Sequence, residues 1–325
     1  MPKVSVIVPV YGVEKYIERC ARSLFEQTLD DMEYLFIDDC TPDKSIEILK
    51  VVAEKYPQRK SQILIHHMDR NLGQAAVRKW GMKNATGDYI IHCDSDDWVE
   101  KDMYEKLWKK AIEGNYDIVR CNFVRTDGIH RRLCRQIPVS DYNDKMRLIS
   151  NILIGSSLTS LCDKLVKRSI LDNNIIYPKS DMQEDASLVI QIVYYSKKIC
   201  FLPDVLYYYC ANPSSITHKS TIESHLKKLN EVMDNTKIIL DFLENKGILS
   251  NFSEEIVCRK YNDRSHIIQL TSKKEYRKLW WKIYPEIDSK VLFNGKMKWN
   301  EKLEYYLVKY RLYFFVQKVK AALIN

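Results

Sequence analysis

The chain contains 325 residues, of which 46% are hydrophobic and 29% are charged. This composition supports a large hydrophobic core and excludes disordered, collagen-like and low-complexity proteins. The formal net charge is +8, and residues 271–325 hold thirteen Lys or Arg against five Asp or Glu. The basic excess therefore lies in the C-terminal part of the chain, which is also rich in aromatic residues.

The hydrophobic runs of the chain are too short for a membrane span, since none approaches the ~18 to 20 consecutive apolar residues that a transmembrane helix needs. The first run, Val4 to Val10, contains Pro9 and continues into charged residues without a small-residue cleavage site, which argues against a secretory signal. The nine cysteines are scattered and never spaced C-x-x-C, which argues against a disulfide framework and a thiolate metal site. We therefore expect a cytoplasmic protein with reduced cysteines.

Strands and helices alternate along the first hundred residues. Runs rich in β-branched and aromatic residues predict strands at 4–8, 34–37, 63–65 and 89–93, and apolar residues at helical spacing predict helices near 17–25, 46–56 and 73–84. Strand–helix–strand units of this length use right-handed crossovers and form a parallel sheet with helices on both faces. The sequence therefore predicts an α/β fold with a mostly parallel, Rossmann-like sheet.

The second hundred residues have a mixed pattern, and the remainder is helical. The patterns predict helices near 101–113, 142–154 and 183–196 and strands near 117–125, 130–137 and 205–209. From about Thr221 onward the periodicity is helical. We therefore expect an α/β domain over residues 1–220 and a helical, basic and aromatic C-terminal region over residues 221–325.

The end of the chain is apolar on two sides if residues 301–325 form one helix. The two stripes are Leu303, Leu307, Tyr310 and Phe314, and Tyr305, Leu312, Val316 and Val319. Such a helix is buried between elements, or it contacts the protein with one face and a membrane or partner with the other. Lysines and interfacial aromatic residues suit an anionic bilayer surface. Because no nucleic-acid-binding motif accompanies them, we expect no nucleic-acid partner.

Acidic residues follow three of the four predicted parallel strands, at Asp38-Asp39, Asp69 and Asp94-Ser95-Asp96-Asp97. Ligands of parallel sheets bind beyond the carboxyl ends of the strands. Carboxylates that converge there repel one another, so a site that tolerates them usually holds a cation. The sequence therefore predicts Mn²⁺ or Mg²⁺, held by carboxylates and by phosphate groups of a ligand.

The sequence resembles glycosyltransferase family 2, whose members have the GT-A fold and a strand-terminal D-x-D motif. The resemblance covers about residues 1–220 and rests on motifs that occur in the family's order, namely Val4 to Tyr11, Asp38-Asp39, Asn71-x-Gly73 with Arg78 and Gly81, Gly87 to Asp97, and Glu184-Asp185. It implies a nucleotide-binding half over residues 1–100 and an acceptor-side half over residues 101–220.

This resemblance also implies an activity. An inverting enzyme of this family would transfer a hexosyl or N-acetylhexosaminyl group from a UDP-sugar to a hydroxyl of a glycan or lipid-linked acceptor, in cell-surface polysaccharide synthesis. Such an acceptor, together with the basic C-terminal region, predicts a peripheral position at the inner face of the cell membrane. Two alternatives remain, a sugar-phosphate nucleotidylyltransferase and a non-catalytic subunit that binds a nucleotide or glycan. A nucleotidylyltransferase normally has a glycine-rich phosphate loop after its first strand, and this chain lacks one there.

The resemblance assigns the nucleobase pocket to residues that follow the first two strands. Pro9 and Tyr11 would line the pocket, with the Tyr11 ring stacked on a uracil, and Asp39 would accept a hydrogen bond from the uracil ring N–H. An acceptor at that point favours uracil, or thymine, over cytosine, whose ring nitrogen has no hydrogen. Tyr11 packed at the sheet edge is the alternative interpretation.

Other donor contacts are implied for residues near the third and fourth strands. Asn71 and Arg78 would lie beside the diphosphate, where a guanidinium neutralises phosphate charge. Asp94 would contact ribose or sugar hydroxyls, and Ser95 and Asp97 would complete the donor site. The alternatives are an Arg78 on the protein surface and an Asp97 that caps the next helix.

The metal and the catalytic base are also implied by the resemblance. Asp96 would bind the metal ion with His218 as a further ligand, and Asp185 would be the base that removes the proton of the acceptor hydroxyl. A solvated His218 and an acidic first helical turn that complements the helix dipole are the alternatives. The sequence departs from the family pattern at two positions. Cys210 stands where the family commonly has arginine, so the resemblance does not imply a diphosphate contact at that position. Gly12 stands where the family often has asparagine.

Overall fold

The computed structural model describes residues 1–135, 145–156, 159–212 and 221–324. Its strands are β1 (Val4–Val10), β2 (Met32–Asp38), β3 (Ile63–His67), β4 (Tyr89–His92), β5 (Trp98–Val99), β6 (Ile118–Thr126), β7 (Arg131–Cys134), β8 (Lys164–Lys167) and β9 (Ile199–Cys210). Its helices are α1 (Ile17–Phe25), α2 (Ser45–Glu54), α3 (Gln74–Asn84), α4 (Met103–Glu113), α5 (Lys145–Leu153), α6 (Glu184–Tyr195), α7 (Ile222–Asn245), α8 (Ser253–Ser265), α9 (Lys274–Lys282), α10 (Trp299–Lys309) and α11 (Tyr313–Ile324). None of the helices in these ranges is long and apolar enough to cross a bilayer.

The chain divides into two compact units, the first of residues 1–149 and 157–216 and the second of residues 150–156 and 217–325. The first unit contains one sheet with the strand order β3-β2-β1-β4-β8-β6-β9-β5, and β7 pairs with β6. Strands β1 to β4 pair in parallel, as predicted. The predicted α/β class is confirmed.

Antiparallel pairing enters the sheet beyond β4. Strand β8 pairs antiparallel with both β4 and β6, and β5 and β7 also pair antiparallel with their neighbours. Strand β9 pairs in parallel with β6 between Ile199 and Cys210, with a register shift at Asn122. The sheet is therefore parallel in its first half and mixed in its second.

Strand β1 is buried on both faces. Val6 and Val8 pack with Leu24 of α1 in the main core cluster of this unit, and all three side chains are fully buried. Ile7 points to the opposite face, where Gly81 of α3 has no side chain and so leaves room for it. Because β1 pairs in parallel with both β2 and β4, the carboxyl ends of these three strands lie at one edge of the sheet, where the acidic motifs begin.

The second unit is helical and has its own core. Trp280 is fully buried, and the guanidinium of Arg264 lies over its ring at 4.6 Å from the centroid. Arg264 also donates to Asp288 at 2.7 Å and to the carbonyl oxygen of Tyr284 at 2.7 Å. A buried guanidinium is tolerated when its donors find partners in this way.

The expectation of a single helix over residues 301–325 is wrong. The chain turns between α10 and α11, where Arg311 adopts a left-handed conformation with φ of +62°. The N–H of Leu312 donates to the carbonyl oxygen of Leu307 at 2.7 Å, which is a bond typical of a helix C-terminus. The two apolar stripes predicted for one helix are therefore divided between two helices.

Candidate functional site

The acid triplet lies in the turn between β4 and β5, as the sequence predicts. The N–H of Asp97 donates to the carbonyl oxygen of Asp94 at 3.0 Å and closes this turn. Ser95 is buried, whereas Asp94 and Asp96 are partly exposed. The three carboxyl groups have different environments, so they are described separately below.

Asp97 is a buried structural residue. Its carboxyl group is fully buried, its Oδ2 accepts a hydrogen bond from the Tyr207 hydroxyl at 2.5 Å, and its Oδ1 accepts one from the Cys210 N–H at 2.6 Å. Burial, with Asp96 and Asp94 nearby, raises the pKa of Asp97 well above its ordinary value. The helix-capping alternative is wrong, since Asp102 and not Asp97 directly precedes α4, and the donor contact implied for Asp97 stays a prediction.

Asp96 has the environment expected of a metal ligand. Its carboxyl group is partly buried, and its Oδ2 accepts a hydrogen bond from Asn212 Nδ2 at 2.9 Å. Burial and then the charge of Asp94 raise the pKa of Asp96. A divalent cation would offset both effects, so this carboxylate fits Mg²⁺ or Mn²⁺.

A complete metal-ligand set is not formed by protein side chains alone in the part of the chain that the structure describes, where no three His, Cys, Asp or Glu side chains converge. Mg²⁺ is commonly held by one or two carboxylates together with substrate phosphates, so two neighbouring acids suffice. His218, the second predicted metal ligand, lies outside the described residues. Its role stays a prediction.

Arg78 connects three elements of the site. Its guanidinium is 4% exposed, its Nη2 donates to Asp94 Oδ1 at 2.8 Å, and its Nη1 pairs with Glu184 Oε1. Burial disfavours its charge, but the two carboxylates more than offset this and raise its pKa. Arg78 is therefore not a surface residue, and its contact with a diphosphate stays a prediction.

Glu184 is the buried partner that sequence reasoning missed. Burial raises the pKa of Glu184 to about 8, although Arg78 acts in the opposite direction. Its neighbour Asp185 drew attention in the sequence because of a family motif, and Glu184 appeared only as the other half of that acidic pair. The Arg78–Glu184 pair joins α3 to the first turn of α6.

Asp185 lies in the first turn of α6 and is partly exposed. Its Oδ2 accepts a hydrogen bond from Thr159 Oγ1 at 2.9 Å, and its Oδ1 accepts one from the Ala186 N–H at 2.7 Å. These bonds fix the carboxylate without neutralising it. Thr159 was not predicted, because a lone threonine in a loop carries no motif.

Asp39 holds the loop that precedes α3. Its Oδ1 and Oδ2 accept hydrogen bonds from the N–H groups of Leu72 and Gly73 at 2.7 and 2.9 Å, and Asn71 Nδ2 donates to its carbonyl oxygen at 3.2 Å. Burial raises the pKa of Asp39, while the two backbone donors act against it. Asp39 and Asn71 are thus in contact with each other, and their contacts with a nucleotide stay predictions.

Pro9 and Tyr11 lie at the end of β1, close to the second strand. Pro9 is partly exposed and pairs with Ile37 of β2, and Tyr11 is 51% exposed. Gly12 has a φ of +67°, and its N–H donates to Thr41 Oγ1 at 2.8 Å. Glycine and asparagine both tolerate this left-handed conformation, which explains why Gly12 can stand where the family often has asparagine.

Asp181 is a further site residue that the sequence analysis missed. Its Oδ1 accepts a hydrogen bond from the Ala75 N–H at 2.9 Å, at the start of α3. A Cβ atom at Gly73 would lie only 2.5 Å from Asp181 Oδ2, and Gly73 has a φ of +86°. The Asn71-x-Gly73 motif therefore contains glycine for two reasons, the backbone conformation and the close approach of Asp181.

We expect Gly73→Ala to destabilise the protein more than Gly128→Ala. Both glycines have a positive φ, and strain at such positions costs about 1 to 3 kcal/mol. Gly128 has open space around it, whereas an alanine at 73 must also displace Asp181 and break its bond to Ala75, at a further cost of about 0.5 to 1.5 kcal/mol. Urea unfolding of both variants measures the difference, and equal losses would contradict the role given to Asp181.

Comparisons with known proteins agree on one family. Residues 5–172 match the family model described as Glycosyl transferase family 2. The chain is 31% identical over 237 residues to the uncharacterized glycosyltransferase EpsJ of Bacillus subtilis (strain 168), an alignment that covers 70% of this chain and 67% of EpsJ.

Two solved structures have the same fold. TarS 1–349 of S. aureus in complex with UDP-GlcNAc has a TM-score of 0.59 and 18% identity, over 94% of this chain and 91% of TarS 1–349. The mannosyltransferase PcManGT of Pyrobaculum calidifontis in complex with GDP-Man and Mn²⁺ has a TM-score of 0.53 and 14% identity, over 96% of this chain and 87% of that chain. At these identities the likeness concerns the fold alone.

Proposed function

The chain belongs to glycosyltransferase family 2, and we propose that it transfers a sugar from a UDP-sugar to an acceptor hydroxyl with inversion, with the help of a divalent metal ion. The observation that carries this proposal is the acidic site itself. Asp96 has a raised pKa, which a bound cation would lower. Asp185 lies on α6, and the Arg78–Glu184 pair joins α6 to α3 of the nucleotide-binding half. In this proposal one site combines Asp96 as the metal ligand with Asp185 as the base.

The donor is proposed to be a UDP-sugar of the hexosyl or N-acetylhexosaminyl type. The TarS structure contains UDP-GlcNAc, and the mannosyltransferase structure contains GDP-Man, so both neighbours bind a sugar linked to a nucleoside diphosphate. Asp39, Tyr11 and Pro9 support uracil as the base, as the family resemblance implies. Asp39 already binds two backbone N–H groups, and each carboxylate oxygen can accept a second hydrogen bond.

Mn²⁺ or Mg²⁺ is proposed as the cofactor, held by Asp96 with Asp94 beside it. When bound, such an ion neutralises charge on the departing diphosphate. Asp94 Oδ1 accepts a hydrogen bond from Arg78, and this bond fixes the Asp94 carboxyl group at the end of β4. The mannosyltransferase structure contains Mn²⁺, which supports a divalent ion in this fold.

Asp185 is proposed as the general base. A carboxylate that accepts the proton of the acceptor hydroxyl makes that oxygen a better nucleophile toward the anomeric carbon. Thr159 and the Ala186 N–H hold the carboxylate in one orientation, as a base needs. The acceptor is proposed to be a glycan or a lipid-linked molecule of cell-surface polysaccharide synthesis.

Thermal stability with UDP, GDP, CDP and ADP, each with and without Mn²⁺, tests the donor and the metal together. A ligand at about 100 times its dissociation constant adds roughly 2.7 kcal/mol to the free energy of unfolding. We expect UDP to give the largest shift, to require Mn²⁺, and to lose its effect in Asp96→Asn. Asp241→Asn, the same change at an exposed position on α7, is the matched control and should respond like wild type.

Each of the other outcomes contradicts a particular part of the proposed function. A larger shift with GDP would show that Asp39 does not select uracil, and an Mn²⁺-independent shift would contradict the metal site. If no nucleotide stabilises the protein, the UDP-sugar proposal is wrong.

A further inference from the structure

Helix α10 has an exposed apolar stripe along its length. Trp299, Leu303 and Tyr310 are 77%, 46% and 64% exposed, and their spacing of four and seven residues aligns them on one face. The ring of Tyr306 stacks on that of Tyr310 with centroids 6.2 Å apart, so it extends the same stripe. On the other side of the helix Tyr305 and Val308 are buried in the core of the second unit.

Two more exposed apolar side chains adjoin this stripe. Leu292 and Phe293 are 50% and 83% exposed, while the preceding Val291 is fully buried and anchors the segment. Lys302 Nζ of α10 donates to the carbonyl oxygen of Leu292 at 3.1 Å. This bond holds the segment against α10, next to the stripe. We call Leu292, Phe293, Trp299, Leu303 and Tyr310 the α10 surface.

Helix α11 repeats the pattern. Phe315 and Val319 are 67% and 43% exposed and are spaced by four residues, so they share one face of α11, and Leu312, which directly precedes the helix, is 48% exposed. Large apolar side chains of this kind usually occur singly on a protein surface. Their concentration between residues 292 and 319 therefore indicates a surface that is covered in the working protein.

The charge around these side chains is strongly positive. Residues 290–320 contain eight Lys or Arg and only two acids, Glu301 and Glu304. Both acids already accept hydrogen bonds within the protein chain: Glu301 from the Lys298 N–H at 2.9 Å, at the exposed start of α10, and Glu304 from the partly buried Tyr261 hydroxyl at 3.1 Å. The segment that carries the exposed apolar residues therefore has more cations than these acids offset, although Lys296 also pairs with Glu255 at 3.6 Å.

We propose that the α10 surface docks on an anionic lipid bilayer, with its aromatic side chains at the headgroup level and the surrounding lysines on lipid phosphates. Aromatic rings beside lysines are favoured at membrane interfaces, and each basic residue near an anionic surface adds to the attraction. A second copy of the chain is a worse occupant, because two copies of this surface would bring like charges together. This inference does not depend on the donor, the metal or the base proposed above.

Vesicle sedimentation of the full chain, without nucleotide or metal, tests the proposal. We expect binding to vesicles of phosphatidylglycerol mixed with phosphatidylcholine and at least about tenfold weaker binding to phosphatidylcholine alone. The double variant Phe293→Ser/Trp299→Ser should bind the mixed vesicles at least about tenfold more weakly, since two large apolar side chains no longer enter the interface. Ile129→Ser removes an equally exposed side chain, 86% exposed, from the first unit and should bind like wild type.

Three outcomes would overturn the proposal. They are equal binding to both kinds of vesicle, unchanged binding of the double variant, and equal losses in the double variant and in Ile129→Ser. Sedimentation velocity without vesicles tests whether a second copy of the chain binds the α10 surface instead. If the wild type forms a dimer that the double variant does not form, and the wild type does not bind vesicles, the α10 surface belongs to a second copy. Both substituted residues are exposed, so circular dichroism should confirm an intact fold.

Discussion

Asp185→Asn is expected to lower kcat by about 10² to 10⁴-fold and to leave the affinity for UDP with Mn²⁺ unchanged. Asparagine keeps the size of the side chain and can still accept the hydrogen bond from Thr159, but it cannot take up a proton. The base acts only as the acceptor oxygen attacks, so donor binding does not need it. Turnover with a UDP-sugar and an acceptor measures the first effect, and the thermal shift with UDP measures the second.

Glu275→Gln is the matched control for this experiment. Glu275 is an exposed acid in the first turn of α9, so its substitution removes the same kind of favourable interaction with a helix dipole. We expect normal turnover and normal UDP affinity in this variant. Equal activity of Asp185→Asn and wild type would reject Asp185 as the base and leave only a helix-dipole role for it.

The first half of the sheet was predictable because its strands have strong and regular patterns. Buried strands such as β1 consist almost entirely of apolar residues, and α1 has its buried side chains at helical spacing. The antiparallel strand β8 was not predicted, since its four residues are Lys164–Lys167 and two of them are lysines. Lys164 is nevertheless buried, because it donates to Asp163 at 2.5 Å and to the carbonyl oxygen of Ser160 at 2.6 Å. Such pairing is invisible in a hydrophobicity pattern.

The helix break near the C-terminus was missed for a related reason. Helices often end at a glycine, which adopts a positive φ without strain. Here Arg311 takes that conformation, and neither a glycine nor a proline marks the turn between α10 and α11. The hydrophobic periodicity alone therefore predicted one continuous helix where the chain turns between α10 and α11.

The positions of the site residues were more predictable than their contacts. Strand ends and family motifs located Asp39, Asp96 and Asp185 at one edge of the predicted sheet or at a helix start. Which of the neighbouring acids is buried depends on side chains far away in sequence, such as Tyr207 for Asp97. Sequence patterns describe the residues of one element, whereas these pairings join elements a hundred residues apart.

The buried pair of Arg78 and Glu184 leads to a pH-dependent prediction for stability. Burial raises the pKa of Glu184 to about 8, whereas an ordinary glutamate titrates near 4.5. Between these pH values the folded chain binds more protons than the unfolded chain, so this group makes stability fall as pH rises through that window. Without Arg78 the pKa of Glu184 would be higher still, and the fall would continue above pH 8.

Arg78→Met is therefore expected to be more destabilising at pH 9 than at pH 6. At pH 9 wild-type Glu184, whose pKa is about 8, has mostly released its proton, whereas the variant must keep the proton bound to this buried side chain, which adds up to about 1.4 kcal/mol to the loss for each pH unit above 8. At pH 6 Glu184 is protonated in both proteins, so the loss is limited to hydrogen bonds and the pairing with the more exposed Asp94. The double variant Arg78→Met/Glu184→Gln should recover the additional loss at pH 9, because glutamine does not titrate. Urea unfolding at both pH values measures these differences. Two results would show that Arg78 does not compensate the buried charge of Glu184: a loss of stability that is independent of pH, or a double variant that is no more stable than Arg78→Met at pH 9.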